Sequence, residues 1–273
     1  MKKRNILWFI ALIVITIFLL FPFFQMLSTS LKPPDQQFTI PVNFFPQTFT
    51  LKNYIDAVKF GNFARYFINS LSVSSLTVIS ATLIALFGSY GFTRLQFPGR
   101  RFMLILILFS QMFCLAAIVI PLYRILGNLD LVNTYQGLLI GFLTFTVPTG
   151  IWLFRSFIIK IPISLEEAAY VEGATKLGAF WKITVPLLKP AFGAVSAYVF
   201  ILSWQDFLFP LVIMNDEKYR TLSVGIMDFV GQYETNWGSL MAASVIITLP
   251  VLVLFLFLQR QWISGMGEGA IKE

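Results

Sequence analysis

The stretch SLEEAAYVEGATKLGAFWKITVP, residues 164–186, is a polar island between two long apolar runs. The runs beside it, Tyr135–Ile159 and Ala191–Met214, hold one charged residue each, Arg155 and Asp206. Pro162 breaks the helix before the island, because proline lacks an N–H and crowds the preceding turn. Ser164-Leu165-Glu166-Glu167 then reads as a capping box, with Ser164 at the cap and Glu167 reaching back from the third position. Gly173 suits a left-handed helix end. Thr175 is placed to cap a second short helix that ends before Pro186. The stretch therefore predicts two short helices around a glycine turn, lying near a membrane surface. Leu165, Ala168, Ala169 and Glu172 fall on one face at spacings of three and four. The two alanines on that face allow close approach by another protein. Local roles alone also satisfy the pattern, with Glu167 capping its own helix and Gly173 ending it; an amphipathic helix resting on lipid is a separate reading.

Outward from the island the chain is membrane material. Of 273 residues 57% are hydrophobic and only 12% charged, against about 25% charged in a soluble domain. Six apolar segments can be read: Ile6–Leu27, Ser70–Phe92, Phe102–Leu126, Tyr135–Ile159, Ala191–Met214 and Ser239–Leu258. Each is long enough to cross a hydrocarbon layer of about 30 Å as a helix. Helices are expected because hydrocarbon offers no water to backbone polar groups. The predicted fold is an all-α integral membrane protein: one transmembrane domain over residues 1–273, six transmembrane helices, and a short cytoplasmic helix–turn–helix at 164–186. The first segment follows Lys2, Lys3 and Arg4. Its apolar run is too long for a signal peptide, and no small-residue cleavage site comes after it, so it reads as a retained span.

Orientation follows from the basic residues, which concentrate in cytoplasmic loops. Of the 20 Lys and Arg residues, 13 lie on the side of the N-terminus, among them Lys2, Arg94, Arg100, Arg101, Lys160, Lys182 and Lys272. The other side holds 7, including Lys32, Lys59, Arg124 and Lys218. Both termini and the 164–186 stretch are thus expected in the cytoplasm, with Ser28–Asn69 and Asn215–Gly238 outside. The first outer loop is rich in proline and aromatics (Pro33, Pro34, Pro41, Phe44, Phe45, Pro46) and reads as an ordered surface loop.

Several function classes are excluded. The net charge of +7 raises the question of nucleic acid, but the basic residues are spread over the loops and form no DNA- or RNA-binding motif. There is no His and only one Cys, which removes disulfides and Cys/His zinc frameworks. That residue, Cys114, sits in an apolar run and reads as a packed core residue. No catalytic set, metal cluster or cofactor motif is visible. No GxxxxGK[ST] phosphate loop occurs, so the chain is not expected to bind ATP or to be an enzyme. Asp206 lies well inside the fifth expected span, where an acid is a functional candidate by default. Tyr198 and Trp204 stand near it. Together they offer aromatic faces and polar groups of the kind that line ligand sites, although Trp204 equally suits an interface anchor and Asp206 a bond within the bundle. Pro148, Gly150 and Pro250 mark candidate kinks.

The pattern Glu167-Ala168-Ala169, Gly173, Ile183-Thr184-Val185-Pro186 resembles the cytoplasmic EAA loop of permease subunits from bacterial ABC importers. Other segments resemble carbohydrate importers of the maltose type, in their second permease. They are Phe23-Phe24-Gln25-Met26-Leu27-Ser28-Thr29-Ser30-Leu31-Lys32, Asn69-Ser70, Arg94-Leu95-Gln96-Phe97-Pro98-Gly99-Arg100, Ser203-Trp204-Gln205-Asp206-Phe207-Leu208 and the tail from Gly265 to Lys272. Gln205 stands where the family often has Asn, and Val185 where Leu is usual. The resemblance implies a subunit of the bacterial cell (inner) membrane that forms half of a sugar pathway. It implies a second permease, two ATPase subunits and an extracellular or periplasmic sugar-binding protein as partners. Glu167, Ala168, Ala169, Gly173, Ile183 and Pro186 would dock an ATPase subunit, and Tyr198, Trp204 and Asp206 would lie on the substrate path. No cofactor is implied. Alternatives are a permease for a polyol or glycerol phosphate, and an ion-coupled carrier or channel. The last would want repeated intramembrane charges or filter-like glycine runs.

Overall fold

The computed structural model describes residues 2–41, 43–59, 61–231 and 235–270, with backbone alone for 2–5, 7 and 259–270. Its helices are α1 (Lys2–Ser30), α2 (Pro34–Gln37), α3 (Lys52–Lys59), α4 (Phe63–Arg94), α5 (Arg100–Ser110), α6 (Leu115–Asn128), α7 (Tyr135–Ile158), α8 (Ile163–Val171), α9 (Lys176–Ala179), α10 (Val185–Leu187), α11 (Lys189–Gln205), α12 (Leu208–Ile213), α13 (Leu222–Gly225) and α14 (Trp237–Ala270). Among the described residues there is no strand, only an isolated bridge between Val230 and Thr235. Trp8–Ser30, α4, α7 and Trp237–Leu258 are long and apolar enough to cross a membrane. Pro22, Pro148 and Pro250 lie inside the helices α1, α7 and α14. The side chains of the tail from Gln259 onward, with Lys272, fall outside the described residues.

Two compact units divide the chain. The first combines residues 1–67 with 224–250. Its α1 exposes a nearly unbroken apolar surface, including Trp8 at 70% and Phe18 at 76%, which hydrocarbon accepts and water does not. The loop after α1 is ordered by polar bonds. Asn53 Nδ2 donates to the carbonyls of Ser30 (2.9 Å) and Lys32 (2.7 Å), and Lys32, itself buried, donates to the Asn43 carbonyl. Burial holds the Lys32 ammonium below its ordinary pKa. Rings of Phe21 and Phe24 meet Phe44 and Phe45. Among its described residues the loop contains α2 and α3 and these bonds, in line with the order expected of it.

The second unit combines 68–223 with 251–273. One core joins α4 (Ala81, Ala85, Leu86), α7 (Ile151, Phe154, Ile158) and α11 (Ala191, Val195, Val199) to Phe180 and Leu188. A second joins Val73 of α4 to α6, α7 and α12 through Leu122, Phe142 and Phe209. Small residues allow these approaches. A Cβ on Gly141 would fall 1.8 Å from the Phe209 ring.

Two expected spans are not single helices. Phe102–Leu126 is broken at Gln111–Cys114, where α5 and α6 meet at 105°. Cys114 is extended there and exposed, and so is not the packed core residue expected. Ala191–Met214 is broken after Gln205. Asp206 takes an extended conformation, its carboxylate accepts from the Phe209 N–H at 3.1 Å, and its carbonyl accepts from Ser223 Oγ at 2.6 Å. The side chain thereby starts α12 instead of continuing α11. A further bend of 73° separates Lys176–Leu187 from α11.

Candidate functional site

The polar island folds as two arms around a turn. The first arm, α8, starts directly after Pro162, which occupies its cap position without a side-chain cap bond. The expected capping box is therefore not formed. Pro162, with its φ fixed by the ring, takes the cap position two residues before the expected Ser164, which puts Ser164 inside the first turn instead of ahead of it. The turn itself closes as expected. Gly173 has φ +89°, its N–H donates to the Tyr170 carbonyl at 3.0 Å, and the Ala174 N–H donates to Ala169 at 2.8 Å. That pair of bonds is a Schellman closure, which favours glycine at its left-handed position. Thr175 caps the second arm by accepting from the Gly178 N–H at 3.1 Å. The arm continues as α9, a widened π-helical turn over Phe180–Thr184, and α10. Pro186 lies just beyond the widened turn and cannot donate to the Lys182 carbonyl.

One buried polar knot fixes the arms, and its centre escaped the sequence reading. Glu166 is 1% exposed. Its carboxylate accepts from Arg94 Nε at 2.8 Å, Tyr90 Oη at 3.0 Å and Thr184 Oγ1 at 3.0 Å. Arg94 also donates to the Ile161 carbonyl at 2.8 Å. A buried carboxylate is tolerable only with such partners. Aromatic rings close the same junction, with Tyr90 and Phe180 centroids 4.6 Å apart. Adjacent charged residues on a short helix cannot both face in, and that was the available signal: one of Glu166 and Glu167 had to be the inward one.

The outward side carries the residues expected to make contact. Glu167, Ala168 and Gly173 are exposed, while Ala169 and Ile183 are half-buried. Pro186 is exposed as well. Val171, 90% exposed, and Leu177, 63% exposed, add an apolar edge. A groove of about 430 Å³ runs between the arms, lined by Ala169, Glu172, Gly173, Ala174, Gly178, Ala179, Lys182 and Ile183.

The second expected set is spread over different settings. Trp204 is buried and stacks on Phe200 with centroids 5.4 Å apart. Asp206 is partly buried and reaches a small apolar cavity beside Leu115, Phe145 and Thr146. Tyr198 donates to Thr149 Oγ1 at 3.1 Å, and Thr149 donates to Gln111 Oε1 at 3.0 Å. This polar chain ends at the break between α5 and α6. Gln111 and Thr149 were not expected, since single polar residues in apolar runs carry no sign of their partners.

A family model described as "Binding-protein-dependent transport system inner membrane component" matches residues 81–266. The chain is similar to the diacetylchitobiose uptake system permease protein DasC of Streptomyces coelicolor, 32% identical over 263 residues and covering 96% of this chain and 95% of that one. It is also similar to the trehalose/maltose transport system permease protein MalG of Thermococcus litoralis, 33% identical over 272 residues, with coverages of 98% and 97%. Among solved structures, a chain of a bacterial ABC transporter involved in the import of the acidic polysaccharide alginate aligns with a TM-score of 0.83. It is 22% identical and covers 95% of this chain and 96% of that one. At that identity the likeness concerns the fold.

Proposed function

We propose, because the chain belongs to the family of binding-protein-dependent transport system inner membrane components, that it is the permease subunit of an ATP-driven carbohydrate importer and forms half of its translocation pathway. It is a transport component, and ATP hydrolysis belongs to partner chains. The assembly contains a second permease, two ATPase subunits and an extracellular or periplasmic sugar-binding protein. The chain crosses the bacterial inner membrane six times, with the broken stretches 102–126 and 191–214 counted as one pass each. Both termini and the 164–186 stretch are cytoplasmic; with the full extent of its helices, from Ile163 at the start of α8 to Leu188 after α10, that stretch forms the 163–188 segment. The names of the relatives support a mono- or oligosaccharide as cargo.

The observation that carries this reading is an exposed apolar edge on an internally locked segment. Val171 and Leu177 stand out of a fold whose base is the buried Glu166–Arg94 pair. Such an edge outside hydrocarbon favours a protein partner, and the lock holds it in one shape before docking. Ala168 and Ala169 enter the cleft of the ATPase subunit. Glu167 pairs with a basic group there, while Gly173, Ile183 and Pro186 shape the turn and the second arm. On the substrate side, the Tyr198–Thr149–Gln111 chain and Asp206 supply polar groups to the path, with Trp204 packed behind. Non-helical backbone at membrane depth, as at Gln111–Cys114, is tolerated where it is covered by protein or lines a watery cavity.

Ala168→Phe tests the docking. Ala168 is exposed, so the larger side chain can extend away from the chain's own core. The variant should reach the membrane and unfold at the wild-type temperature, yet lose its ATPase subunits on purification. Full retention of those subunits with wild-type uptake would contradict the docking reading.

A further inference from the structure

We infer that Glu166 is a positioning residue that makes α4 the span driven by the 163–188 segment; the inference rests on the docking reading above. Three observations carry it. Tyr90 and Arg94 lie one turn apart on one face of α4 and both donate to the Glu166 carboxylate, at 3.0 and 2.8 Å. Thr184, in the second arm, donates to the same carboxylate at 3.0 Å. The α4 rings grip the second arm as well: Phe87 lies 5.6 Å from Phe180 and 6.1 Å from Trp181 between centroids. One buried charge thus ties both arms to a helix far from them in sequence, in addition to the apolar core in which α4, α7 and α11 all meet Phe180 and Leu188. Separating Glu166 from Arg94 would leave a buried charge unpaired, which is strongly disfavoured. When the segment is displaced, α4 therefore follows it, and its 32 residues carry the movement along the helix.

The exposed Ser75 of α4 serves as a reporter. Ser75→Cys, in a Cys114→Ser background, is assembled with the ATPase subunits and the second permease, and its maleimide labelling rate is compared with and without ATP and vanadate. With Glu166 in place the rate should change about tenfold, the size of an ordinary allosteric coupling. In E166Q the ATPase subunits should stay bound while the change falls to about twofold or less. R94Q combined with E166Q should do no more than either alone, because the two act as one unit. An E166Q complex that keeps the full ATP-driven change overturns the inference, as does a wild-type complex in which bound ATPase subunits leave Ser75→Cys labelling unchanged. If E166Q does not assemble, Tyr90→Phe removes one bond to the same carboxylate. A reduced change there supports the role, and an unchanged one overturns it. ATPase subunits that bind with equal yield to Ala168→Phe would instead defeat the docking reading, a separate outcome.

Discussion

Glu166 and Glu167 are neighbours with opposite surroundings, one buried in a knot of three donors and the other exposed. Since Glu167 makes no cap bond, Glu167→Ala should change stability by no more than about 0.5 kcal/mol, while weakening ATPase association. Thermal unfolding and co-purification of one sample read both. Gly173 separates backbone from partner effects in the same way. A Cβ there meets nothing within 4 Å, but φ is +89°, so Gly173→Ala should cost about 1–2 kcal/mol. Gly173→Asn should cost less, since asparagine tolerates the left-handed region better. Any loss of ATPase binding by Gly173→Asn beyond that stability cost is a contact with the partner. The turn was legible in the sequence because its determinants are local: Gly173 and Thr175 act within five residues. The role of Glu166 was not legible, because its partners Arg94 and Tyr90 lie 72 and 76 residues away.

At the scale of elements, apolar runs announced the helices but not their breaks. Tyr135–Ile159 was expected and α7 ends at Ile158, since Thr134 caps its start and the run ends before Pro162. Hydropathy passes straight through Gln111–Cys114 and Asp206–Phe207, where the chain leaves the helix. Nothing in composition distinguishes an Asp that floats in a span from one that caps the next helix. Packing at these joints depends on close approaches. Gly141→Ala must displace the buried Phe209 ring and should destabilise the protein by about 1–3 kcal/mol. Gly91→Ala, on the open side of α4 with nothing within 4 Å, should be neutral or stabilising by up to about 1 kcal/mol. Detergent-solubilised unfolding of both variants checks the contrast.

For the whole molecule, the proposed topology puts Lys176 and Lys182 on one side of the membrane and Lys52 and Lys59 on the other, all four exposed. The sole cysteine, Cys114, sits at the α5–α6 break. If that break lines a watery path, small water-soluble thiol reagents should modify Cys114 in the assembled importer, and ATP should alter the rate. The claim that the 163–188 segment is where an ATP-hydrolysing partner attaches is tested most directly by amine cross-linking of the native complex, read by mass spectrometry. Cross-links from Lys176 and Lys182 to an ATPase subunit, with none from Lys52 or Lys59, are the predicted result. ATPase cross-links on Lys52 or Lys59, or their absence from Lys176 and Lys182 in an intact complex, would contradict it.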